Sequence, residues 1–214
     1  MSVVLPLFPL NTVLFPGGPL RLRIFEPRYL DMISRCMREN SSFGVALITE
    51  GREAGGTART TVVGTTARIV DFERLDDGLL GITARGELRF SIDEVKSQSD
   101  GLNVADVELL PDEPAMEIPD DLAILAELLK QAFVQVGTAY GEEPPHFESA
   151  SWVGMRLAEI LPLPMPEKQQ CLEMDNAVER LRLLRERLDI RQASRLLLRP
   201  RGAGSKQQTS PRSP

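Results

Sequence analysis

Histidine occurs once in this chain, at His146, and cysteine twice, at Cys36 and Cys171. Three such side chains cannot complete the roughly four-ligand shell of a structural zinc site, so a zinc module is excluded. Two cysteines in separate parts of the chain give no disulfide framework either, and read as core-lining thiols in a reducing compartment. Lysine is almost as scarce. Lys96, Lys130, Lys168 and Lys206 are the four, and none follows a glycine. A phosphate-cradling loop of the Gly-x-x-x-x-Gly-Lys-Ser/Thr type is therefore absent. There is no Gly-x-Ser-x-Gly elbow to expose a nucleophile, and the lone histidine sits in the proline-bearing run Glu142-Glu143-Pro144-Pro145-His146. A Cys–His pair would have to use His146, and a serine–lysine dyad would need a lysine that reads as solvated; neither has a supporting context. The acidic pairs Asp76-Asp77, Asp120-Asp121 and Glu142-Glu143 fall where turns and helix starts are expected, and turn and cap chemistry accounts for them.

Long apolar runs are missing as well. No window approaches the roughly 18 to 20 apolar residues needed to span a bilayer, and no basic leader precedes an apolar stretch at the start. A soluble, cytoplasmic protein is expected. Aromatic residues make up only 5% of the chain, the formal net charge is −6 and the sequence pI is about 5.0, all of which weigh against attraction to a phosphate backbone. The local exception begins at Arg180, where Arg182, Arg185, Arg187, Arg191, Arg195, Arg199 and Arg201 follow with Glu179, Glu186 and Asp189 interspersed. This pattern is that of a solvated face on an amphipathic helix.

What is present is an ordinary globular composition, 42% hydrophobic and 26% charged over 214 residues. The first half has period two. Leu20, Leu22 and Ile24 alternate with Arg21 and Arg23, apolar on one face and charged on the other. Pro6, Pro9, Pro16 and Pro19 bracket the first runs, so the first strands should be short, bulged or at edges, with Gly17-Gly18 as the turn between them. Pro27 fits the first position of a helix carrying Tyr29, Leu30, Ile33 and Met37 and stopping near Asn40. Phe43 to Thr49 reads as a buried strand, and Arg52 to Thr60 as a mobile, glycine-bearing loop. Thr61 to Leu75 and Leu79 to Lys96 form a hairpin at Asp76-Asp77-Gly78, with Leu102 to Leu110 the last strand.

At Pro111-Asp112-Glu113-Pro114 the period changes to 3.6. Asp120 or Asp121 is expected to cap a helix bearing Leu122, Leu125, Leu129 and Phe133, and a second starts near Ser149. Pro166 opens a short third, and Asn176 caps a long last one with Leu181, Leu184 and Leu188. The fold class is α+β: a β-rich subdomain over residues 1–112, a helical subdomain over 113–199, and a Ser/Gly/Pro-rich tail over 200–214 expected to be disordered.

Several stretches together carry a family resemblance: LPLFPLNTVLFPG from Leu5, LRLRIFEPRYLDMI from Leu20, VGTTARI from Val63, DDGLLGITARGELRFSI from Asp76 and KQQCLEMDNAVERLRLL from Lys168. In this order they resemble the N-terminal domain of Lon ATP-dependent proteases (peptidase S16-like), a module also found in cereblon, and more closely the stand-alone bacterial proteins made of that domain. The resemblance implies a PUA-like β pseudo-barrel with one helix followed by a helical subdomain. It implies recognition of unfolded or damaged polypeptide, or docking on a partner, with no catalytic residue, no metal and no cofactor, and with homo-oligomerisation open. RNA binding is the alternative, since PUA-like folds also occur in RNA-recognising proteins. Phe8, Phe15 and Phe25 are expected to fill the barrel, with Glu26 and Arg28 pairing at the strand-to-helix corner. Alternatively some of these aromatics stay exposed, and Phe8, Phe15, Arg21, Arg23, Phe25 and Arg28 form a peptide-binding groove beside a free sheet edge.

Overall fold

The computed structural model describes residues 2–53, 58–141 and 144–188. Seven strands come first, interrupted by one helix: β1 (Ser2–Leu10), β2 (Pro19–Ile24), α1 (Pro27–Glu39), β3 (Phe43–Glu50), β4 (Arg59–Thr60), β5 (Val63–Arg74), β6 (Leu80–Ser97) and β7 (Asn103–Leu109). A 3-10 turn (Asp120–Leu122) leads into α2 (Ala123–Val136). A second 3-10 turn (Gly137–Tyr140) follows, and then α3 (Ala150–Ile160), α4 (Met165–Glu173) and α5 (Ala177–Arg187). The chain is α+β by segregation, as the change of period predicts.

Five strands close on themselves. Antiparallel neighbours run β1-β7-β6-β5-β3, and a parallel pairing of β1 with β3, Leu7 opposite Gly44 to Leu10 opposite Leu47, completes the ring. The expectation of short or edge strands at the start fails for β1, which has nine residues and partners on both sides. The partners are used in succession: Ser2–Leu7 pairs with β7 and Leu7–Leu10 with β3. Pro6 and Pro9 thus each have a side with no partner strand, where a missing N–H costs nothing. β2 lies outside the ring and, among the described strands, pairs only with the first half of β6.

Local chemistry fixes the element ends. Pro27 opens α1, and Asn40 ends it in the left-handed region at φ 49°. Ser149 caps α3 by accepting the Trp152 N–H, and Asn176 caps α5 by accepting those of Val178 and Glu179. Asp120 and Asp121 instead begin a 3-10 turn with no side-chain cap bond, and α2 starts at Ala123. A two-residue strand, β4, lies at the end of the segment read as a loop, and residues 54–57 of that segment lie outside the described residues.

The barrel is filled by Phe8, Ile24, Tyr29, Met32, Ile33, Phe43 and Ile82. The Phe8 ring stacks on Tyr29 with centroids 3.9 Å apart, so α1 plugs the barrel directly. A second, larger cluster joins the halves: Val13, Phe15 and Leu47 from the β half pack with Leu125, Leu129, Val153, Leu157, Leu181 and Leu184 from the helices. Burying Phe15 fully contributes roughly 1.5 to 3 kcal/mol relative to leaving it exposed.

Candidate recognition surface

The turn at Gly17-Gly18 is tightly specified because helix α3 rests on it. Gly17 has φ +74°, and a Cβ on Gly18 would lie 2.8 Å from the Glu159 carboxylate. Arg156, only 1% exposed, donates from Nη2 to the Pro16 carbonyl at 2.6 Å and lies 3.2 Å from Glu159. Its guanidinium also sits 4.9 Å above the Tyr140 ring. Burial pushes the Glu159 carboxyl up from its ordinary value, and the neighbouring Arg156, the Tyr140 hydroxyl and Lys168 only partly offset that.

Arg89 on β6 and Arg180 on α5 make a second buried junction. Arg89 donates to the Leu172 and Met174 carbonyls at the end of α4 and to Asp175 at 3.0 Å. Arg180, fully buried, donates to Cys171 and Met174 carbonyls and forms a two-pronged pair with Glu113 of the connecting segment. The reading of Arg180 as part of a solvated basic face is thereby corrected: the chain presents it inward, where Glu113 and two helix-end carbonyls satisfy the charge. Sequence spacing offered one signal. Arg180 lies three residues after Ala177 and four before Leu184, on the apolar side of α5.

Between these junctions lies a cleft of about 460 Å³ walled by Pro16, Arg85, Phe133, Tyr140, Trp152 and Arg156. His146, Ser149 and Ser151 also line it, yet they form no catalytic relay among the described residues. The His146 Nδ1 is 3.4 Å from Glu148, while the Ser149 hydroxyl accepts the Trp152 backbone N–H. Cys36 and Cys171 are buried, and burial pushes both thiols up, away from the thiolate a nucleophile requires. No group of three potential metal ligands occurs among the described residues. No helix among them is long and apolar enough to cross a membrane.

The six residues read as a possible peptide groove are not gathered in one place. Phe8 lies in the barrel core and Phe15 in the cluster shared with the helices, both buried. Arg28 is pinned at the corner, donating to the Gly101 carbonyl at 2.7 Å and pairing with Glu26 at 2.9 Å, as the strand-to-helix reading expects. Phe25 does not fill the barrel: it is 57% exposed, at the end of β2 after buried Ile24. Arg21 and Arg23 point outward from β2, and Arg23 pairs with Asp77. Phe72, which the sequence did not single out, at 58% exposed, and Met37, read as part of the apolar stripe of α1 but 40% exposed, rim a depression of about 220 Å³ between α1 and β5. Phe72 stands opposite core residue Ile82 across β5 and β6, so period-two reasoning assigns it to the interior. A register shift between Ile69 and Asp71, which only the fold reveals, accompanies its emergence at the rim.

A closed pseudo-barrel joined by buried arginines to a helical layer defines a PUA-like α+β domain. The sequence matches, over residues 4–189, the family described as the ATP-dependent protease La (LON) substrate-binding domain, and the chain belongs to that family. A Lon protease of Anaeromyxobacter dehalogenans is 28% identical over 88% of this chain and 23% of its own length. Protein cereblon of Danio rerio is 31% identical over 56% of this chain and 28% of its own. The chain thus spans about a quarter of the length of these relatives. The crystal structure of a Lon N-terminal domain protein from Xanthomonas campestris superposes with a TM-score of 0.73 at 35% identity, covering 86% of this chain and 98% of that one. The N-terminal domain of a Mycobacterium avium complex Lon protease shares the fold, with a TM-score of 0.61 at 20% identity over 86% of this chain and 97% of that one.

Proposed function

We propose that this chain is a non-catalytic recognition module that captures unfolded or extended polypeptide, in the cytoplasm, and presents it to a partner. Membership of a substrate-binding family supports recognition. The observation that carries the mode is Phe25, exposed at the end of a strand whose second edge no described strand occupies. An extended chain added along β2 would bond through main-chain groups common to all sequences, as a holder of diverse unfolded chains requires. Phe25 would supply apolar contact, and Arg21 and Arg23 would favour segments carrying carboxylates. Phe8 and Phe15 are buried in two different clusters and Arg28 is held at the corner by Glu26 and the Gly101 carbonyl, so none of the three is assigned a contact with the client.

The test is binding of the purified protein to a fluorescently labelled, permanently unfolded polypeptide, with its folded form and a short single-stranded RNA in parallel across a salt series. Saturable preference for the unfolded chain is expected, with Phe25→Ala weakening it by roughly tenfold, about 1.4 kcal/mol, as for an aromatic anchor. Absence of that preference overturns the reading. Tighter, steeply salt-sensitive binding to RNA would favour the alternative PUA-like role.

A further inference from the structure

The charges of this chain are segregated along its length. From Asp189 to Pro214 the sequence carries Arg191, Arg195, Arg199, Arg201, Lys206 and Arg212 against Asp189 alone, a net of +5; with −6 overall, residues 1–188 carry −11. Within the basic stretch stand three consecutive leucines, Leu196 to Leu198. Residues 189–214 lie outside the described residues, but the point from which they depart is fixed: Leu188, which packs partly against the cluster joining the halves.

Next to that point lies a surface of complementary character. Arg185, in the last turn of α5, donates to the Asp121 carbonyl at 2.7 Å, which ties α5 to the beginning of α2. From there α2 presents outward Ile124, 45% exposed, and Val134, 88% exposed, with exposed Glu127 and Gln131 on the same helical stripe. Glu117, Asp120 and Asp121 lie exposed at and just before its start, and Lys130 is the one lysine or arginine between Asp112 and Trp152. That lysine is already held by Glu127 at 2.6 Å. Acidic residues around exposed apolar ones call for a basic segment carrying aliphatic side chains.

We propose that the segment Arg191–Arg199 of this same chain docks on the outer face of α2. Its leucines cover Ile124, while its arginines face Glu117, Asp120, Asp121 and Glu127. The Arg185–Asp121 contact is the first member of the series. The reach suffices: Leu196 lies eight residue steps beyond Leu188, up to about 26 Å when extended, against about 21 Å for the whole of α2. The docking goes beyond polypeptide capture and is read with no client present.

The test uses the full chain with cysteine pairs joined by a short bismaleimide, since both native thiols are buried. The pair Ile124→Cys with Leu197→Cys is compared with Val4→Cys with Leu197→Cys, both surface positions of α2 and β1 being exposed enough to leave the fold intact. Cross-linking within one chain is expected at least about tenfold faster for the Ile124 pair, as a raised effective concentration dictates. It should fall to the control rate when Arg191, Arg195 and Arg199 are changed to Glu, and slow with added salt. Equal rates for the two pairs would overturn the proposal. So would a preponderance of cross-linked dimers, which would seat the segment on a second copy. Ala123→Cys with Leu197→Cys, at the exposed position beside Ile124, repeats the test should the Ile124 variant fail to fold.

Discussion

With two prongs of its guanidinium on Glu113 and its other bonds on the Cys171 and Met174 carbonyls, Arg180 leaves several buried acceptors unanswered if removed. Arg180→Ala is expected to cost about 3 to 5 kcal/mol in urea denaturation, much of it from stranding Glu113. Combining Arg180→Met with Glu113→Gln should recover part of that loss, whereas Arg180→Lys, which lacks the planar fork, should not. A cost no larger than that of a surface substitution would show that the network contributes little. Glu159 gives a prediction of sign. Its carboxyl titrates above its unfolded value, so the native state binds the proton more readily. Stability contributed by that proton is present at low pH and lost as pH rises from the ordinary carboxylate range through the raised value. The stability of the native sequence should therefore decline with pH relative to Glu159→Gln, other groups cancelling in the difference. A difference independent of pH between about 4 and 7, a range chosen around the ordinary glutamate value, would refute the assignment.

The elements were the most legible part, because their ends are written in single residues. Pro27, Ser149, Pro166 and Asn176 mark helix starts, and Asp77-Gly78 marks the long hairpin, with Gly78 at φ +84°. Asn176→Ala should lower the stability of the fold by about 1 kcal/mol, since Asn176 answers two N–H groups of α5; a denaturation midpoint unchanged within error would count against it. What could not be read was which face an isolated aromatic occupies. Phe15 and Phe25 stand in similar proline-flanked settings, yet one is buried and the other exposed. The difference arises from partners far away in sequence: Phe15 is met by the helical layer, and nothing described covers Phe25 to the same degree. Buried arginines were illegible for the same reason. Arg89 and Arg180 have charged neighbours in sequence and Arg156 interrupts an apolar run, and in each case acceptors brought up by the fold make burial tolerable. The β1 prolines illustrate a subtler limit, since sequence shows the missing N–H but not that two partner strands are used in turn.

At the scale of the whole molecule, the two halves share a core rather than a hinge. Phe15 and Val13 lie in the same cluster as Leu181 and Leu184, and Arg89 and Arg156 bond across the join. Unfolding should therefore be one cooperative event. Fluorescence of Trp152, in the helical half, and far-ultraviolet circular dichroism should report the same urea midpoint. Separate midpoints would mean that the barrel and the helices stand independently. The join is also unforgiving of small additions. A Cβ on Gly86 would come within 2.3 Å of the Phe15 carbonyl, so Gly86→Ala should destabilise by about 1 to 3 kcal/mol although it adds one methyl group. The measured loss in denaturation decides it.

The bond from Arg156 to the Pro16 carbonyl spans 140 residues of sequence. On a ribosome adding roughly 5 to 20 residues each second, the glycine turn is made about 7 to 28 s before the arginine that completes it. For that interval Phe15 and Val13 have no helical layer to cover them. During its own synthesis, the nascent chain is an unfinished polypeptide with apolar side chains exposed, the kind of client its finished fold is proposed to hold.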